Sequence, residues 1–170
     1  MSGPARSETA DSVEEAVRQW SERYEDGSAF RVMTSLIRAY NVGVRGVESV
    51  VREFDLNLSR YEVLLLLSFT RRGCLAMGRL RDLLMVHGSS VTYLVQRLEA
   101  AGLVERQKDA DDARVVLVAI TDEGRATVAR ASARLVEEGF GPFGGYDEDE
   151  RRSLSDLLAR LRGEGATDSG

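Results

Sequence analysis

The order of elements between residues 59 and 124 constrains this chain more than any other feature of its sequence. Two short helical patterns, joined by a turn that contains Gly88, precede two extended runs separated by a polar loop. Two helices in that relation, followed by a hairpin, form a winged helix-turn-helix, whose second helix fits the DNA major groove. The sequence therefore predicts a mainly α fold with a small β-hairpin wing.

Further helical patterns flank this core on both sides. The longest covers residues 29–54, with apolar side chains three and four positions apart, and a stripe of that length usually packs along a partner helix. We expect N- and C-terminal dimerisation helices around the winged helix-turn-helix. The predicted division is an extra helix in residues 1–28, a dimerisation region in 29–58 and 121–163, a DNA-binding lobe in 59–120 and a flexible tail in 164–170.

Several local signals predict where these elements begin and which side chains they bury. Ser12 with Glu15, and Ser59 with Glu62, have the spacing of a capping box, which predicts two helix starts. In the helix expected at residues 77–85, three leucines are predicted to point inward, namely Leu80, Leu83 and Leu84. The other predicted bounds are 89–101 for the second helix of the pair and 103–107 and 114–120 for the strands.

Charge and composition narrow the possible functions. The net charge is −5, but residues 71–120 hold eight basic and six acidic side chains, so the middle carries the only positive balance. The local field matters more to a DNA phosphate than the total charge. One cysteine and one histidine exclude a disulfide scaffold and a cysteine-based zinc site, and no phosphate-binding loop occurs. We expect that the protein is not an enzyme, uses no cofactor, has no membrane-spanning segment and is cytoplasmic.

The residues after the glycine-containing turn resemble the MarR family of regulators. The matching runs are Ser90-Val91-Thr92, residues 97–106, Asp112-Ala113-Arg114, Leu117-Val118 and residues 121–124, in the family's order and spacing. The resemblance covers roughly residues 30–162. It implies a homodimer with interlocking terminal helices that binds a palindromic DNA site, acts as a repressor and is released by a small-molecule effector.

The same resemblance assigns candidate roles to individual residues. Arg114 would be the wing arginine, and Asp112 would hold the wing tip. Arg79 and Arg81 are candidates for phosphate contact, as are Arg71 and Arg72, which a solvated helix end explains equally well. The residues implied to face DNA from the second helix are Ser89, Ser90, Thr92, Tyr93, Gln96 and Arg97. Many family members carry arginine or asparagine at Tyr93 and aspartate at Gln96, so the bases read here are expected to differ.

An effector site is suggested by Trp20, which lies in the extra N-terminal helix. A urate-responsive branch of the family has such a helix with a tryptophan, and Glu62 and Arg106 match its acidic residue and an arginine. Leu94 stands where that branch has an arginine, which argues against urate itself. Trp20 also has a plainer interpretation, as an aromatic anchor that pins the extra helix.

Two alternatives to a ligand-released regulator stay open. The acidic total charge, with Lys108 as the single lysine, is compatible with a winged helix that contacts protein without specific DNA binding. Cys74, next to Arg71 and Arg72, is a candidate redox sensor, because neighbouring arginines lower a thiol pKa, although a lone cysteine is more often a small buried apolar residue.

His87, before the second helix, is expected to cap the turn or to contact a phosphate.

Overall fold

The structure is a computed structural model that describes residues 8–24, 26–84, 88–109, 112 and 114–164, with the backbone alone for residues 8–12 and 88–90. The expectation for His87 lies outside the described residues. The chain divides into two compact units, Met1–Arg45 and Gly46–Gly170, and each is described by itself.

The first unit contains helix α1, Glu8–Ser21, and most of helix α2, Ser28–Val51. The capping box predicted at Ser12 is wrong as a helix start, because the α1 backbone is already helical from Glu8. Glu15 instead pairs with Arg18 along the helix, at 2.7 Å between Oε1 and Nη2.

An aromatic cluster joins α1 to the beginning of α2. The Trp20 ring stacks on Phe30 with centroids 4.4 Å apart and planes 9° apart, and the Tyr24 ring lies 4.6 Å from Trp20. Glu14 and Arg31 form an ion pair between the same two helices. This geometry supports the anchoring interpretation of Trp20, since stacked aromatic pairs add about 0.5–1.5 kcal/mol to the area that they bury.

The second unit contains the rest of α2 and the remaining elements. A 3₁₀ turn, Arg52–Phe54, follows α2. The elements after it are α3 (Leu58–Phe69), β1 (Cys74–Ala76), α4 (Met77–Leu84), α5 (Gly88–Ala100), β2 (Val104–Lys108), β3 (Val116–Ile120), α6 (Asp122–Glu137), a 3₁₀ turn (Gly141–Gly145) and α7 (Glu148–Leu161). Seven helices and one small sheet among the described residues confirm the predicted fold class.

The sheet is antiparallel, with strand order β1-β3-β2. β2 and β3 form the predicted hairpin, in which Val104 lies opposite Ile120 and Lys108 opposite Val116. The short strand β1 adds to the other edge of β3, with Cys74 opposite Ala119. β3 is therefore the central strand, and the hairpin extends from the lobe as a wing.

The core of the second unit lies where α3, α4, α5 and α6 meet the sheet. Leu64, Leu67, Leu80, Leu98 and Leu135 have no exposed surface, and each buried leucine contributes roughly 1.5–3 kcal/mol relative to an exposed one. The lobe that carries α4, α5 and the wing is therefore a rigid support for its surface side chains.

Three local predictions are corrected by the structure. α3 is capped by the Asn57 side chain, which accepts a hydrogen bond from the Arg60 N–H at 2.9 Å, so the helix begins before the predicted Ser59 box. Leu83 is 40 % exposed, whereas Leu80 is fully buried and Leu84 packs partly buried against the core, as predicted. Arg114 precedes β3, since the hairpin loop extends as far as Val115.

Two glycines in the second unit allow close backbone contacts. A Cβ atom on Gly46 of α2 would lie 2.5 Å from Cδ of Pro142, in the connector between α6 and α7. A Cβ atom on Gly124 would lie 2.1 Å from the Leu103 carbonyl oxygen. Gly46 therefore permits the connector to rest on α2, and Gly124 permits α6 to start against the end of the α5–β2 turn.

Candidate nucleic-acid interface

Helix α5 buries one face and exposes the other. Val91, Val95 and Leu98 have no exposed surface, and Leu94 is only 7 % exposed. The helical spacing that buries these residues leaves the opposite face to solvent. The exposed side chains of that face are Thr92, Tyr93, Gln96 and Arg97, which are four of the six residues expected to face DNA. For the other two, Ser89 and Ser90, the structure describes the backbone alone.

Arg106 connects the wing to α5. Its Nε lies 3.6 Å from the Glu99 carboxylate, and its Nη2 donates to the Thr92 carbonyl oxygen at 3.5 Å. Both contacts are long, so their strength is modest. They connect Arg106 to two positions of α5, one at each end of the exposed face. Sequence reasoning assigned Arg106 to an effector and missed this role, which depends on a contact between β2 and α5 that no local pattern shows.

The wing tip holds Arg114 in place. The Asp112 carboxylate accepts hydrogen bonds from the Arg114 backbone N–H at 3.0 Å and from its Nε and Nη2 at 3.1 Å each. The Asp112 N–H in turn donates to Asp109 at 3.1 Å. The Arg114 side chain is still 91 % exposed, so it is oriented without being covered.

Hydrogen bonds at the wing tip also set the charge of Asp112. The hydrogen bonds from the Arg114 side chain, and then from its backbone, hold the pKa of the Asp112 carboxyl below its ordinary value. Asp112 is therefore ionised at neutral pH. A fixed, exposed guanidinium at a hairpin tip suits the negative potential of a narrow minor groove.

More arginines surround these two elements. Arg79 and Arg81 are exposed on either side of the buried Leu80 in α4, and Arg71 and Arg72 are exposed in the turn before β1. No ion pair among the described residues involves any of these four. A groove of about 510 Å³ between α4, α5 and β3 is lined by Thr92, Arg106 and Arg114 together with apolar residues such as Met77 and Val116, so helix and wing border one groove that carries two arginines.

The residues suggested for an effector are distributed over both units. Trp20 belongs to the first unit, where its ring contacts the rings of Tyr24 and Phe30. Glu62, in α3 of the second unit, is half-buried, and burial raises the pKa of its carboxyl above the ordinary value. Arg106 is directed to α5. The arginine position of the urate-responsive branch, Leu94, lies in the core.

The sequence also predicts that the described part of the chain holds no metal site and no membrane span. No group of three or more histidine, cysteine, aspartate or glutamate side chains there could hold a metal ion. None of the described helices has the length and apolarity needed to span a membrane. Cys74 is partly exposed in β1 as a free thiol.

A helix with an exposed polar face, seated on a second helix and flanked by a wing that carries a fixed arginine, defines a winged helix-turn-helix DNA-binding protein. Comparison with known proteins agrees. The model of the MarR family matches residues 54–115. Sco5413, a MarR family regulator from Streptomyces coelicolor, is 35 % identical, with a TM-score of 0.74 over 83 % of this chain and 98 % of its own.

Two further relatives extend this comparison. The HTH-type transcriptional regulator PecS of Dickeya dadantii is 29 % identical over 154 residues, which is 88 % of this chain and 92 % of PecS. CouR from Rhodococcus jostii, solved with p-coumaroyl-CoA, is 26 % identical, with a TM-score of 0.67 over 82 % of this chain and 95 % of CouR. This chain belongs to the MarR family. It is a DNA-binding transcriptional regulator and not an enzyme.

Proposed function

We propose that the protein is a homodimeric repressor that binds a palindromic operator and releases it when a small molecule binds. One observation carries this proposal: a single rigid lobe presents both the polar face of α5 and the fixed Arg114 of the wing. In a symmetric dimer, two such lobes enter major grooves about 34 Å apart, which is why the site is a palindrome.

Exposed apolar side chains support the dimer. In α7, Leu154, Leu157 and Leu161 are 42 %, 59 % and 62 % exposed and share one helix face. In the first unit, Met33, Ile37 and Tyr40 of α2 are more than half exposed. Apolar stripes of this kind require a partner, and a second copy of the chain supplies an identical stripe that a symmetric interface can use.

The effector acts by shifting a population of conformations. A ligand that binds preferentially to a lobe spacing unsuited to successive major grooves lowers the affinity for DNA. The CouR structure contains p-coumaroyl-CoA, and we extend from it only that this chain also takes a small molecule. Within the second unit, Glu62 and Arg106 are the residues that we propose to take part.

The operator is tested by a gel shift. The purified protein is mixed with DNA from immediately upstream of its own gene, at two salt concentrations and with a nonspecific competitor. We expect a discrete complex that weakens steeply as salt rises, because phosphate contacts release counterions. A folded dimer that binds no upstream fragment would favour a winged helix used for protein contact, and the proposal would fail.

A further inference from the structure

The Gln96 side chain differs from the other glutamines of the chain. The sequence contains three, and the Gln19 and Gln107 amides donate hydrogen bonds to neighbouring glutamates, Glu15 and Glu105. Gln96 is exposed on α5, and no hydrogen bond to another described residue uses its amide. Gln96 is therefore the one glutamine whose donor and acceptor are both available to a ligand.

The neighbours of Gln96 define what that ligand contacts. Tyr93 lies one turn earlier on the same face and is 60 % exposed. Arg97 is adjacent and exposed, and Arg79 and Arg81 project from α4. Cationic side chains attract phosphates, whereas a neutral amide adds little to that attraction. Gln96 and Tyr93 are polar side chains beside an exposed arginine, which suits base edges better than the DNA backbone.

The chemistry of the amide selects one base. In the major groove, adenine offers the N7 acceptor and the N6 donor side by side, and a glutamine amide matches both at once. Guanine offers two acceptors there, which favours arginine or lysine. The tyrosine ring next to the amide can pack on the C5-methyl group of a thymine, as apolar side chains do.

We propose that Gln96 reads an adenine in each half of the operator and that Tyr93 packs on the methyl group of a neighbouring thymine. This inference rests on the proposed function, because it requires a specific DNA site. The twofold symmetry of the dimer places one such adenine in each half-site. The operator therefore has A·T base pairs at the positions that the third turn of α5 contacts.

The test is selection of bound duplexes from a random pool, with the wild-type protein, Gln96→Ala and Gln19→Ala. The wild type should enrich a palindrome with a fixed adenine in each half. Gln96→Ala should lose the preference at that position by roughly 5- to 150-fold, the range expected for a bidentate contact, and keep the preference elsewhere. Gln19→Ala, a matched change in α1, should select the wild-type palindrome.

A second variant should change the base preference and not merely lose it. Only a folded protein can show a changed preference, so misfolding cannot produce this result. Gln96→Glu keeps the shape of the side chain but offers only acceptors, so it should shift the preference from adenine toward cytosine, whose N4 is a donor. The proposal is overturned if Gln96→Ala selects the unchanged motif, or if the position that it relaxes is G·C in the wild-type motif. A wild-type protein that selects no motif overturns the proposed function as well, so the two failures are distinct.

Discussion

Arg114 combines two properties that are usually opposed in a surface side chain. It is oriented by three hydrogen bonds to Asp112, and it is 91 % exposed. An arginine that is already ordered loses less side-chain entropy when it binds. At the scale of single residues, the wing therefore contributes to DNA affinity through an arginine that is positioned in advance.

Replacing Arg114 with alanine should weaken operator binding by about tenfold or more, because a hydrogen bond to a charged group contributes roughly 1.5–3 kcal/mol. The thermal midpoint should change little, since the side chain is 91 % exposed and an exposed ion pair contributes little to stability. Binding isotherms and thermal unfolding measure the two effects. Arg130→Ala, which removes an exposed arginine paired with Glu123 in α6, is the matched control and should bind normally; equal affinity in both variants would contradict the wing assignment.

Glu62 predicts a pH dependence of stability. Burial raises the pKa of its carboxyl in the folded state, so folding is favoured below the unfolded pKa of about 4.3, and stability decreases as pH rises toward the folded pKa. Glu62→Gln should therefore unfold at a higher temperature than the wild type at pH 7 and at an equal temperature near pH 4. A lower midpoint for Glu62→Gln at pH 7 would contradict this account and would indicate a favourable partner for the carboxylate.

At the scale of elements, close backbone contacts fix how helices meet their neighbours. Thr121 caps α6 by accepting from the Gly124 N–H at 3.0 Å, and its hydroxyl donates to the Gly102 carbonyl at 2.8 Å. The Thr-x-x-Gly motif of the sequence is thus a joint that seats α6 against the end of the α5–β2 turn. Gly46 has an equivalent role where the α6–α7 connector rests on α2.

Gly46→Ala tests this contact against helix propensity. The new methyl group would meet the Pro142 ring, and overpacking costs about 1–3 kcal/mol, which outweighs the roughly 1 kcal/mol gained by replacing glycine in a helix. The variant should lose stability in denaturant unfolding. Gly78→Ala in α4 has open space around the added methyl group and should be neutral or slightly stabilising. Equal stability of the two variants would contradict the close contact.

The sequence predicts the elements better than their contacts. The register of α5 follows from apolar residues at positions 91, 94, 95 and 98, which are all buried. The sequence predicts the start of α3 wrongly, because Asn57 and Ser59 are both capping residues and only the backbone conformation selects Asn57. The contact of Arg106 with α5 and that of Gly46 with Pro142 join distant segments, so no local pattern indicates them.

At the scale of the whole molecule, the exposed apolar stripe of α7 predicts that the chain forms a dimer in solution. Leu157→Lys places a charge in the middle of that stripe and should shift the protein from dimer toward monomer in sedimentation velocity. Ser155→Lys adds the same charge on a different face of α7 and should leave the dimer intact. A dimer that persists unchanged in Leu157→Lys would show that this stripe is not the interface.

The central claim is that two copies of the chain read one palindromic site. The most direct test is the mass of the complex between the wild-type protein and a duplex carrying the site that it selects, measured by sedimentation at a concentration well above the dissociation constant. Two chains are expected on each duplex. A single chain on each duplex, with an affinity equal to that for one half-site, would contradict the central claim.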